Sequence, residues 1–264
     1  MAREVSSITR VGTSEPFELQ TSRNQISYHN TLFKYGYNPD IVNANETVWD
    51  GGGVYSYPAA AAVMYVSSSS TNDTSAGTGA RTVYIEGLDA SYNSLSETVT
   101  LNGQTQVTTS GSYLRVFRSY VATAGSGGTN AGDIYVGTSG ATAGVPNSTF
   151  YAKITAGEAQ TLMAVYTVPA GKTLYINEGI ATHGTGTSGG VFMTIRFMVR
   201  PFGGVMRTQV KLDVVESQIY YPFAYPIVVT EKSDVEVRAI CNKNQSNAIS
   251  ASFNGVLVVN GDTL

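Results

Sequence analysis

The sequence predicts an all-β protein, a β-sandwich of jelly-roll type with an extended N-terminal arm. Three observations carry this. From residue 81 onward, apolar residues recur at alternate positions, the period of a strand with one buried and one wet face. Turn-forming residues break these runs at short intervals, as at Pro169-Ala170-Gly171, Gly203-Gly204, Pro222 and Pro226. No window of eleven or more residues carries a convincing 3.6-residue period.

Residues 1–58 differ from the rest. They hold few alternating runs and many aromatics, among them Tyr28, Phe33, Tyr35, Tyr37, Trp49, Tyr55 and Tyr57. A solvated tail lacks such side chains, so this segment is expected to be an extended arm packed on its own body or on a neighbour. Deleting it is expected to leave the β body folded. Ala59 to Met64 could form one short helical turn, and residues 67–80 (SSSSTNDTSAGTGA) read as a low-complexity loop or linker.

In RTVYIEG, Val83 and Ile85 share a face. Asn102-Gly103 sits between Thr- and Val-rich runs, the strongest short-range hairpin signal. Its register stays open: a two-residue turn points Val99 and Val107 to opposite faces, and a one-residue bulge would align them. SYLRVFRSYVAT reads as one longer strand, followed by a Gly-rich loop and a short strand at DIYVG. Eight candidate strands follow, at 149–155, 162–168, 172–182, 190–200, 206–214, 219–229, 233–241 and 249–259. Val191, Met193, Ile195, Phe197 and Val199 form one face of the fourth, and Ile249, Ala251, Phe253, Leu257 and Val259 one face of the last. Eight strands in one block fit a jelly roll. The expected division is an arm at 1–58, a β-rich region at 59–145 that belongs to the same sandwich or a second sheet, and a jelly roll at 146–264.

Charged residues make up only 13% of the 264, against about 25% in ordinary domains. Small neutral residues take their place, so copies of the chain repel each other weakly. The 16 basic and 19 acidic residues include no basic run, so a nucleic-acid partner is not expected. The apolar runs fall far short of the ~20 residues that span a bilayer, so no membrane partner is expected either. The N-terminus has no apolar leader core, and export through such a leader is not expected. The sole cysteine, Cys241, alternates with Val235, Val237 and Ala239 and is expected to be buried. The four sequons at Asn45, Asn72, Asn147 and Asn244 are what so much Asn, Ser and Thr produces by chance.

Signals of chemistry fail on context. The loop HGTGTSGG (183–190) matches a dinucleotide fingerprint and a nucleophile elbow at once. Both need a helix after the loop, and a strand pattern follows instead. His29 and His183 have no acidic residue close in sequence, and two His with one Cys do not readily make a closed zinc site. Among carboxylates that could pair for glycoside cleavage, Asp213, Glu216, Glu231, Asp234 and Glu236, Asp213 and Glu236 point away from apolar faces and are expected to be solvated. No catalytic residue, cofactor or metal is therefore assigned.

The 17 tyrosines include dense aromatic groups at 28–39 and 219–226. Tyrosine suits sites where one end of a side chain is buried and the other wet. Tyr28, Phe33, Tyr35, Tyr37, Trp49, Tyr220, Tyr221, Phe223 and Tyr225 are the candidate interface residues. The stretches ETVWDGGGVYSYP, ARTVYIEGLDASYNSLSETVTLNGQTQV and LMAVYTVPAGKTLYI resemble a group of virion structural proteins of tailed bacteriophages, over about residues 45–180. The resemblance implies a non-enzymatic head decoration, or cement, protein located in the virion and assembled in the host cytoplasm. Its expected partners are further copies of itself, as a trimer, and the major capsid protein or other virion proteins. The alternative is a tail or fibre protein that recognises a host surface glycan.

Overall fold

The computed structural model describes residues 15–184, 190–215, 217–244 and 246–261. A short helix, α1 (Phe17–Ser22), precedes the first strand. A front sheet is formed by β1 (His29–Ile41), β18 (Asn247–Val259), β13 (Lys172–His183) and β16 (Gln218–Val229), in that order. A back sheet is formed by β12 (Val165–Thr167), β17 (Asp234–Cys241), β14 (Met193–Arg200) and β15 (Arg207–Val214), with β2 (Glu46–Thr47) also pairing β17. Their antiparallel pairs are nested: β1 with β18, β12 with β17, β13 with β16, β14 with β15. One long hairpin rolled over two sheets gives this nesting, which is the jelly roll.

The periodicity explains the core between the sheets. Met193, Ile195, Phe197 and Val199 of β14 meet Ile249, Ala251, Phe253 and Leu257 of β18, and all are buried. Phe197 and Phe253 touch edge to face at 5.4 Å. Val235, Val237, Ala239 and Cys241 complete the same layer, so the cysteine is a buried small side chain.

Seven of the eight jelly-roll strands lie where the alternation placed them. The exception is the first of the block: β11 (Phe150–Ile154) pairs outside the jelly roll. The missing strand is β1, so the boundary expected at residue 58 does not divide the fold. The N-terminal segment packs on its own body through eleven register positions against β18. Removing 1–58 would therefore strip the front sheet of an edge strand. Gly36 of β1 is required by a close approach, because a Cβ there would lie 2.1 Å from the Val48 carbonyl and 2.4 Å from the Ala164 nitrogen.

Everything between β2 and β12 is an insert with its own core. One sheet runs β11, β8 (Ile134–Gly137), β3 (Ala62–Ser68), β6 (Val107–Tyr113), and a second runs β5 (Ser94–Thr100), β4 (Ala80–Leu88), β7 (Arg115–Ala124). A small hairpin, β9 (Ala141–Thr142) with β10 (Val145–Pro146), lies beside them. Met64, Val66, Ile134, Val136 and Ile154 face Val83, Ile85, Val99 and Val116 across this core.

Several local expectations are corrected here. No helical turn forms at 59–64, where β3 already begins at Ala62. Asn102-Gly103 does not join a two-stranded ladder. Val99 pairs with Val83 instead of Val107, and β6 pairs with β3. The turn backbone is captured by the preceding loop: the Gly103 N–H donates to the Asp73 carbonyl, and its carbonyl accepts from the Ser68 N–H. SYLRVFRSYVAT is two strands in two sheets, broken at Leu114, whose N–H donates to the Leu88 carbonyl. Residues 67–80 are no linker. The buried Asp73 carboxylate accepts from the Ser68 hydroxyl and from the Ala80, Ala131 and Gly132 N–H groups at 2.5–2.9 Å, pinning two loops together.

Candidate subunit interface

The register fixes which side chains share the outer face of the front sheet. Tyr35, Ser252, Ile180 and Tyr220 form one cross-sheet row, and Phe33, Asn254, Glu178 and Pro222 the next. Aromatic rings stand on both edge strands, β1 and β16, with Ser252, Asn254, Glu178 and Ile180 between them. Glu178 ties the rows together, accepting from Asn254 Nδ2 at 2.7 Å and from the Tyr220 hydroxyl at 2.5 Å. Tyr37, half-buried, continues the face opposite Ser250. Phe33 is 67% exposed, a heavy cost for an aromatic ring left in water.

The other candidate residues divide by position. Tyr28 immediately precedes β1, at φ 65°, and is exposed. Tyr221 and Phe223 meet edge to face at 5.3 Å and line a narrow apolar gap where β15 and β16 leave the sandwich open. Val210, Leu212 and Ile219 line it too. Tyr225 sits at the tip of a bulge in β16, where the register jumps between Ile176 and Glu178, and is 88% exposed. Trp49 does not belong to the surface. It is 4% exposed, packs on Tyr55 and Phe150, and donates its ring N–H to the Gly52 carbonyl at 2.8 Å.

The free edge of β16 carries Pro222 and Pro226, which have no N–H. An unbroken donor row for strand addition is absent there. A partner on this edge would therefore have to be held by side chains rather than by an unbroken backbone ladder.

The residues weighed for chemistry are dispersed. His29 and His183 lie at opposite ends of the front sheet. In HGTGTSGG, residues 185–189 lie outside the described residues, as does Glu216. Asp213 is exposed. Glu236 is not solvated: it is fully buried, hydrogen-bonded by Thr47 and paired with Arg238, with burial pushing its carboxyl up. Its neighbour Asp234 is buried among Arg115, Arg200 and Thr167. Alternation did place Glu236 away from the jelly-roll core, but the insert covers that face of β17. Among the described residues no group of three or more His, Cys, Asp or Glu could hold a metal ion. No helix among them is long and apolar enough to cross a membrane.

No family model and no curated protein matches the chain. Among solved structures it is similar to the infectious bursal disease virus Gt strain structure, at 11% identity and TM-score 0.24, over 90% of this chain and 74% of that one. It is similar to the VP2 subviral particle of the same virus at 10% identity and TM-score 0.24, over 90% and 73%. It is also similar to the triple jelly roll of an archaeal virus turret at 11% identity and TM-score 0.23, over 89% and 61%. The fold of this chain is established by its own strand pairing, not by these likenesses.

Proposed function

We propose that this chain is a structural component of a virus particle, a decoration or cement protein that reinforces a phage head through subunit contacts. The observation that carries the reading is the aromatic-edged outer face of the front sheet, with Phe33, Tyr35, Tyr220 and Tyr225 exposed. Exposed Tyr and Phe rings of this kind suit a subunit contact, because such side chains are enriched in interface cores. The low charge of the chain lowers the repulsion between copies. The sequence resemblance to tailed-phage virion proteins supports the same role. In this reading the chain is a homo-oligomer, a trimer, whose outer faces bury against each other and against the shell protein.

The test is occupancy on purified particles that carry Phe33→Asp and Tyr220→Asp together. Loss of the chain from particles, with its fold intact by circular dichroism, supports the reading. Full occupancy of the variant removes the face from the account.

A further inference from the structure

Where the insert meets the jelly roll, a groove of about 790 Å³ opens at the ends of β7, β14 and β17 and the turns beside them. Its walls include Tyr57, Tyr92, Phe202, Arg115, Arg200, Lys232 and Asp234. Three cations and one carboxylate thus face one concavity, on a chain whose net charge is −3. Asp234 is already shared by both guanidinium groups. The Lys232 ammonium stands 5.4 Å over the Phe202 ring and has no carboxylate partner among the described residues. The groove therefore holds positive charge that nothing in it neutralises.

The aromatic residues are placed deliberately. Tyr92 and Phe202 meet edge to face at 5.6 Å, and Arg200 stacks over Tyr57 at 4.4 Å. Phe202 is largely exposed. Tyr92 and Lys232 both have left-handed backbones, at φ 65° and 60°. Bulky side chains rarely adopt this conformation, and such strain gathers at ligand sites. Here both strained residues aim at one groove.

We propose that this groove binds a sugar carrying a carboxylate. Ring faces receive the apolar C–H face of a sugar, and Lys232 with Arg200 receives its carboxylate through charge-assisted hydrogen bonds. The volume falls within the range of about 300–1,000 Å³ usual for small-ligand sites, which favour junctions between modules. An acidic peptide fits less well. The walls include Pro58 and Pro201, which have no N–H to donate to its backbone. The site does not depend on the assembly role of the front sheet.

The experiment is calorimetric titration of the purified full chain with glucuronate, galacturonate and N-acetylneuraminate. Neutral galactose and a short glutamate peptide serve as comparison probes. At least one acidic sugar is expected to bind, weaker at high salt, while galactose does not. Lys232→Asn, which tolerates the left-handed backbone, and Phe202→Ala should each weaken binding at least about tenfold, the loss of one charged or stacking contact. Both variants should melt with the wild type. Failure of all three acidic sugars to bind overturns the proposal. So does equal binding of galactose, tighter binding of the peptide, or binding unchanged in both variants.

Discussion

Arg115 and Asp234 join the insert to the jelly roll by a buried ion pair. Nε lies 2.9 Å from Oδ1, and the two side chains are 7% and 4% exposed. Asp234 also accepts from Arg200 Nε at 2.8 Å and from the Thr167 hydroxyl at 2.6 Å. Arg115 Nη1 donates to the Pro58 and Leu114 carbonyls, and Nη2 to Asp234 Oδ2. Asp234→Ala leaves a buried guanidinium unpaired and is expected to cost about 3–5 kcal/mol. The double variant Arg115→Met, Asp234→Leu is expected to be more stable than Asp234→Ala alone. Urea midpoints order the three proteins, and a double variant less stable than the single one contradicts this account.

Asp73 predicts a second loss. Asp73→Ala deprives three backbone N–H groups of their acceptor, and each unsatisfied group costs about 1–3 kcal/mol. The expected loss is about 3 kcal/mol or more, with Asp73→Asn in between because its amide oxygen still accepts. The comparison is made by thermal unfolding. A melting temperature unchanged in Asp73→Ala would return residues 67–80 to the status of a loose loop.

Two buried groups set the pH dependence. Burial pushes the Asp50 carboxyl up from 3.8 to about 7, with Lys153 opposing, and one of its oxygens has no hydrogen-bond partner. Burial pushes the Lys34 ammonium down from 10.5 to about 7, aided by Arg118 and opposed by Glu86. Folded Asp50 keeps a proton that the unfolded chain releases near 3.8, so its stabilising contribution is full below that pH and is lost as pH rises to about 7. The limit is about 4 kcal/mol. Unfolded Lys34 keeps a proton that the folded chain releases near 7. Its contribution is full above 10.5 and is lost as pH falls to about 7. Stability from these two groups is expected to pass through a minimum near neutral pH. Asp50→Asn should flatten the acid side and Lys34→Met the alkaline side. Denaturation midpoints between pH 4 and 10 check both, and curves parallel to the wild type would contradict the burial of these charges.

Much of the jelly roll was legible because strands such as β14 carry their core residues at strict alternation, Met193 through Val199. β1 was not legible because its pattern is inverted. Its inward positions are Lys34, Gly36 and Asn38, while Phe33 and Tyr35 face out. A hydrophobicity reading sees aromatics without a core. Glu236 was misread for a complementary reason: alternation reports which way a side chain points, not whether another module covers that face. The insert between β2 and β12 is a long-range fact, and no local pattern announces it. The exposed aromatics were legible as candidates from their density alone. Separating Trp49 from them needed the fold, which puts its ring between Tyr55 and Phe150.

Surface variants are expected to separate association from folding. Tyr225→Asp and Phe33→Asp touch rings that stand in water, so each should change stability by no more than about 0.5 kcal/mol. Both should reduce self-association, read by light scattering across a concentration series. Unchanged mass in both variants would move the interface elsewhere.

On the proposed reading, the chain belongs to a virus particle and attaches through the outer face of its front sheet. Counting its copies on purified particles, with the wild-type chain and with Phe33→Asp, Tyr220→Asp, tests it most directly. Wild-type copies are expected in fixed proportion to the shell lattice, and the variant is expected to be lost from the particles. A few copies per particle, none at all, or a variant at full occupancy would contradict it.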